Sequence, residues 1–112
     1  MKIGFIGTGK ITSSIIYGIF KSKLKITKIY ISSRNRTIAK KLNKKFRSVK
    51  IVKDNQEIID SSSLIFLAVT PTVGIKILSK LKFKSNKKII SFIATISLDS
   101  LKKLTKNKNV VR

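Results

Sequence analysis

The chain has 112 residues and a hydrophobic content of 42%, which suits one domain with a packed core and leaves little room for a second. It contains no Cys and no His, which excludes disulfides, thiol catalysis, zinc-finger chemistry and an imidazole general base. Lys and Arg total 26 against 4 acids, a net charge of +22, while no apolar run approaches the ~20 residues of a membrane span.

The charge has two readings. One is an anionic partner such as a nucleic acid or a membrane surface. The other is a compositional habit in which Lys, Ile, Asn and Ser are abundant together. The second is favoured, because lysines run through the whole chain between apolar positions. Only four cations are Arg (Arg34, Arg36, Arg47, Arg112), and there is no Trp to stack on bases. No specific nucleic-acid partner and no membrane partner is expected. The N-terminus runs directly into an apolar stretch and glycines without a signal-peptide cleavage pattern, so a cytoplasmic location is the expectation.

Residues 3–6 are a continuous apolar run that ends at Gly7, as in a buried central strand. Ile11, Ile15, Ile16, Ile19 and Phe20 then recur at helical spacing, with Lys21 and Lys23 near the end where cations suit the helix dipole. Residues 28–32 alternate as a second strand. Ser32, Ser33, Arg34, Asn35 and Arg36 form the turn after it, and Ile38, Ala39, Leu42 and Phe46 mark a second helix. Residues 49–52 are a third strand, and Asp54 or Asn55 can cap a short helix through Ile59. Residues 64–69 are the most apolar run and predict a fully buried fourth strand. Pro71 fits the first turn of the next helix, which carries Val73, Ile77, Leu78 and Leu81. Residues 88–94 predict a fifth strand. Ser97 caps a helix with Leu98, Leu101 and Leu104, and 109–111 start a sixth strand. Strand and helix alternate with short connections, which predicts a Rossmann-like, doubly wound, mainly parallel sheet in a single three-layer α/β/α domain spanning 1–112.

The chemistry is concentrated in two turns. Gly7-Thr8-Gly9-Lys10-Ile11-Thr12 follows a strand and opens a helix. It matches the first two glycines of the dinucleotide fingerprint, one for the tight turn and one for close approach of pyrophosphate to backbone. Thr12 takes the third position, where Gly or Ala packs the helix more closely. Lys10 adds charge beside the anion. The second turn lacks the acid that binds an unphosphorylated ribose, since no Asp or Glu precedes Asp54. Ser33, Arg34, Asn35 and Arg36 offer hydroxyl, amide and guanidinium groups suited to a phosphate dianion. NADP (NADPH) is therefore favoured over NAD, with Asn35 also placed to cap the next helix.

Lys2–Gly9, Ile31–Arg36, Asp54-Asn55, Leu64–Pro71 and Ile89–Ser97, in this order and spacing, resemble pyrroline-5-carboxylate reductase. The resemblance runs over essentially the whole chain. It implies that Ile6, Gly7, Thr8, Gly9, Lys10 and Ile11 wrap the pyrophosphate and that Ser33, Arg34 and Asn35 hold the 2′-phosphate. It places Asn55 near the adenosine, Ala68, Val69 and Thr70 at the nicotinamide ribose, and Ile93 with Ala94 on the nicotinamide side, with Pro71 also among the cofactor-binding residues. Lys10 stands where that family commonly has Asn or Gln, Thr70 where it has Lys, and Thr95 where it has Gly. The implied reaction is hydride transfer from NADPH to 1-pyrroline-5-carboxylate, giving L-proline. No catalytic acid or base is named. The family continues into a helical substrate-binding and dimerisation domain, so the resemblance implies only the nucleotide-binding half, with a partner chain as a candidate source of the rest. The alternatives are an inactive cofactor-binding module, a deazaflavin-dependent NADP reductase and, third, a basic nucleic-acid-binding protein.

Overall fold

The computed structural model describes residues 1–112. Strands and helices alternate from end to end as β1 (Lys2–Ile6), α1 (Lys10–Lys21), β2 (Lys28–Ser32), α2 (Arg36–Lys45), β3 (Val49–Val52), α3 (Asn55–Ser61), β4 (Leu64–Leu67), α4 (Pro71–Leu78), β5 (Lys88–Ser91), α5 (Leu98–Thr105) and β6 (Val110–Val111). The six strands form one sheet in the order β3-β2-β1-β4-β5-β6, and every neighbouring pair is parallel. This is the doubly wound Rossmann order. No helix is long and apolar enough to cross a membrane.

Two strands stop earlier than their apolar runs. The fourth ends at Leu67 rather than residue 69. Ala68 N–H still donates to the Ile6 carbonyl at 2.8 Å, but the chain beyond it leaves the sheet to reach Pro71, which opens α4. The fifth ends at Ser91 rather than residue 94. There the Ser91 hydroxyl accepts from Ile93 N–H at 3.1 Å and turns the backbone. In α4, Leu81 falls outside the helix. Lys80 and Leu81 N–H groups reach back only three residues, to the Ile77 and Leu78 carbonyls, the tighter turn that commonly finishes a helix.

The sheet separates two apolar cores. One contains Phe5, Ile29, Ile31 and Val49 from β1, β2 and β3 beneath Ile16 of α1 and Ala39 and Leu42 of α2. The other contains Ile6, Ile65, Leu67 and Ile89 beneath α3, α4 and α5 through Ile58, Ile59, Leu78 and Leu101. Three layers result.

Cover on the α1/α2 face thins across the sheet. Phe5, Phe66, Ile90 and Val111 lie in register on that face. Phe5 is fully buried, Phe66 and Ile90 are half-buried, and Val111 is 61% exposed. Phe66 stacks on Phe5 with ring centroids 4.9 Å apart and on Phe92 at 5.9 Å. The phenylalanine row therefore runs from the covered to the open side.

The four acids do little to offset the cations. Asp54 accepts from Glu57 N–H at 2.9 Å and so caps α3, and Asp60 accepts from Gln56 at 3.0 Å. A net +22 on so small a body repels itself, and salt screens that repulsion. Raising NaCl from about 20 to about 500 mM is expected to stabilise the fold by on the order of 1 kcal/mol, or about 5 °C in Tm. A thermal melt series in NaCl checks this, and a flat or falling Tm contradicts it.

Candidate functional site

The glycine loop leaves the C-terminal end of β1 beside β4. Strand order reverses between these two strands, because β1 leads outward to β2 while β4 leads outward to β5 on the other side. Ligands of doubly wound folds bind in the crevice at this point.

The two loop glycines have different tasks. Gly7 has φ +102°, which L side chains rarely adopt. A Cβ there would run into the Ala68 carbonyl oxygen and stand 2.8 Å from its carbon and 2.9 Å from Val69 Cγ1. Gly7 therefore lets the end of β1 lie against the end of β4. Gly9 is the N-cap of α1 with ordinary extended backbone, φ −133°, and a Cβ there would meet nothing within 4 Å. No packing inside the protein requires glycine at that position. Gly9 lines both parts of the crevice at the start of α1.

Those N–H groups receive no side-chain cap. Neither do those at the start of α4, where Thr70 is the N-cap and Pro71 the first residue. The other three helices are all capped by their own side chains: α2 by Asn35, α3 by Asp54 and α5 by Ser97. The two uncapped helix starts are the two that border the crevice. Uncapped N–H groups and the helix dipole favour an anion. A pyrophosphate fits this cradle.

Thr12 completes the local packing. It is fully buried, and its hydroxyl donates to the Gly7 carbonyl at 2.6 Å. The β-branched residue is thus accommodated by bracing the glycine turn.

The crevice has two connected parts. One, of about 430 Å³, is lined by Gly9, Lys10, Ile11, Ala68, Val69, Thr70, Pro71, Phe92 and Ala94. The other, of about 270 Å³, shares Gly9, Ala68, Val69 and Thr70 and adds Gly7, Thr8, Arg34 and Val73. Lys10 and Arg34 are the charged side chains lining them, and no carboxylate does. The site is therefore electropositive at short range as well as in the field of the whole chain.

Eleven of the sixteen residues expected from the sequence meet in this crevice: Gly7–Ile11, Arg34, Ala68–Pro71 and Ala94. The other five do not line it. Ile6 and Ile93 point into the core, at 0% and 1% exposure. Ser33 and Asn35 are exposed on either side of Arg34, and Asn35 spends its side-chain oxygen on Ile38 N–H at 3.3 Å. Asn55 begins α3 and is half-buried.

Phe92 and Val73 line the crevice without having been expected there. Phe92 reads in the sequence as one more apolar strand residue. It lies at the open end of the phenylalanine row, where thin cover leaves it 45% exposed. Ser32 was also missed. It closes β2 and is buried with Thr8, whose hydroxyl donates to the Ser32 carbonyl at 3.0 Å. Thr95 lies just past the crevice at φ +66°. Its backbone keeps a conformation suited to glycine while carrying a β-branched side chain, at a cost of about 1–2 kcal/mol.

The family model described as NADP oxidoreductase, coenzyme F420-dependent, matches residues 2–95. Pyrroline-5-carboxylate reductase 3 of Danio rerio is 32% identical over 107 residues, 93% of this chain and 36% of that protein. Pyrroline-5-carboxylate reductase of Escherichia coli K12 is 31% identical over 105 residues, 89% of this chain and 38% of that protein. The crystal structure of 1-pyrroline-5-carboxylate reductase from Streptococcus pyogenes superposes with a TM-score of 0.74 at 30% identity, covering 100% of this chain and 39% of that one. The chain thus spans a little over a third of the length of these relatives.

Proposed function

Because this chain belongs to the NADP oxidoreductase, coenzyme F420-dependent, family, we propose that its glycine-loop crevice binds NADP(H). We further propose that residues 1–112 are the dinucleotide-binding domain of a reductase of pyrroline-5-carboxylate reductase type. The observation that carries this reading is the pair of uncapped helix starts facing one crevice across Gly9. Gly7 to Ile11 hold the pyrophosphate through backbone N–H groups. Arg34, with Ser33 beside it, takes the 2′-phosphate, since a guanidinium binds a dianion in a fork. Ala68 to Pro71 and Ala94 flank the nicotinamide ribose, and Phe92 offers an apolar wall on the same side.

When bound, the coenzyme supplies the hydride. The work of this chain is to bind it, orient it and shield one side of it from water. The acceptor in this reading is a cyclic imine carboxylate, 1-pyrroline-5-carboxylate. The surface that holds it is contributed by polypeptide outside these residues, in the same protein or in a partner chain. A second reading, with a deazaflavin as the other redox partner, is compatible with the family description, which names coenzyme F420. The NADP half of the site serves either.

Titration of the purified chain with NADPH and with NADH, followed by nicotinamide fluorescence, tests the coenzyme assignment. NADPH is expected to bind at least ~10-fold tighter, the value of one charge-assisted phosphate contact of about 1.5 kcal/mol. Equal affinities would remove the 2′-phosphate role of Ser33 and Arg34. No binding of either at millimolar concentration would remove the coenzyme assignment itself.

A further inference from the structure

We infer that Thr8 is a positioning residue that fixes the 2′-phosphate end of the coenzyme site from within the glycine loop. This rests on the reading of the crevice as an NADP site. Thr8 and Ser32 are separated by 24 residues, yet both are buried, at 7% and 8% exposure. The Thr8 hydroxyl donates to the Ser32 carbonyl at 3.0 Å, and the two hydroxyl oxygens are 3.1 Å apart. One arrangement satisfies both groups. Thr8 donates to the carbonyl while Ser32 donates back to Thr8 Oγ1, so each hydroxyl proton has an acceptor. Because both residues are largely buried, this small ring holds its geometry better than the same bonds would at the surface.

The position of the ring gives it a role beyond packing. Ser32 is the last residue of β2, where NAD-type sites place the carboxylate that binds the ribose. Here that place is taken by a neutral hydroxyl already engaged by the glycine loop. The next residues, Ser33 and Arg34, are exposed, and Asn35 is then tied to α2 through Ile38 N–H. The turn is therefore clamped at both ends, by Thr8 on the strand side and by Asn35 on the helix side. Thr8 also lines the same part of the crevice as Arg34. The loop that holds the pyrophosphate and the turn that reads the 2′-phosphate are joined by one side chain and hold a fixed separation. That separation is what a rigid adenosine 2′-phosphate must match.

The test compares Thr8→Val, which keeps the shape and removes the hydroxyl, with Thr8→Ser, which keeps the hydroxyl. Dissociation constants for NADPH and NADH are measured for each, alongside Tm. Thr8→Val is expected to weaken NADPH about 5- to 10-fold, the loss of about one hydrogen bond, and NADH less than about 2-fold. Thr8→Ser is expected to restore the wild-type ratio. If the wild type discriminates and Thr8→Val leaves the ratio unchanged, or weakens both coenzymes in parallel, Thr8 is only a packing residue and the inference fails alone. If the wild type shows no preference for NADPH, the 2′-phosphate reading fails and takes the inference with it. Should Thr8→Val not fold, Thr8→Ala removes the same hydroxyl without the branched bulk. It must shift the ratio in the same direction, and an unchanged ratio overturns the inference.

Discussion

Replacing Gly7 with alanine is expected to cost roughly 3–5 kcal/mol of folding stability, a large part of the ~5–15 kcal/mol a domain of this size has available. Two causes add. A φ of +102° is strained for any residue with a Cβ, by about 1–3 kcal/mol. The new methyl group would also overlap the Ala68 carbonyl, with Val69 Cγ1 only 2.9 Å away. Neither neighbour yields cheaply. Ala68 N–H is bonded to the Ile6 carbonyl, so relieving the overlap separates β1 from β4 at the centre of the sheet. Overpacking of this kind costs about 1–3 kcal/mol. Urea unfolding of the two proteins measures the difference directly. A midpoint shift worth less than about 1 kcal/mol contradicts the geometry around Gly7.

Gly9→Ser is expected to do the reverse, leaving the fold intact and emptying the site. A Cβ at Gly9 meets nothing within 4 Å, and its φ of −133° is open to any residue. Serine is among the best N-caps and exceeds glycine there by a few tenths of a kcal/mol. Stability is therefore expected to stay level or rise slightly, within about 0.5 kcal/mol. Coenzyme affinity moves the other way. The serine oxygen would accept from the first N–H groups of α1, the donors a pyrophosphate needs, and its bulk would fill the space in front of them. Losing one charge-assisted bond of about 1.5–3 kcal/mol weakens NADPH roughly 10- to 100-fold. Calorimetric titration beside a thermal melt separates the two effects. Wild-type affinity in Gly9→Ser would place the anion somewhere other than the start of α1.

The fold was legible because each local signal agreed with its neighbours. The boundaries of β2 and β3 follow from where apolar alternation meets polar turns, and the observed spans, Lys28–Ser32 and Val49–Val52, coincide with the expected ones. Asn35, Asp54 and Ser97 cap the helices that their positions before apolar-periodic runs predict. The ends of β4 and β5 were not legible. Hydrophobicity carries Val69 and Ile93 past the last ladder bonds, which the Ala68 and Phe92 N–H groups make, and only the three-dimensional path to Pro71 and the Ser91–Ile93 turn shows where the strands stop.

The glycine loop was legible as a motif, yet the sequence could not distinguish its two glycines. That distinction rests on what stands opposite each of them, the Ala68 carbonyl in one case and open space in the other. Ile6 and Ile93 were expected at the site from their place in a family pattern. Strand alternation sends the Ile6 side chain into the core, and the turn after Ser91 sends that of Ile93 there. The Thr8–Ser32 pair left no local signal at all, because it joins positions 24 residues apart.

The uneven cover on the α1/α2 face has a mechanical consequence. The free energy of local opening follows buried apolar contact, so on this face the β5 side of the sheet is expected to open before the β1 side. The glycine loop hangs from the β1 side, where Phe5 and Ile16 are fully enclosed and Thr12 braces Gly7. Residues 92–95 follow β5, with Phe92 on the thinly covered face and Ile93 anchored in the opposite core. A dinucleotide seated here would be gripped at its pyrophosphate by backbone that does not adjust. At its reactive ring, in the proposed reading, it would meet Phe92, which is 45% exposed, so the nicotinamide end of the crevice is the less enclosed one.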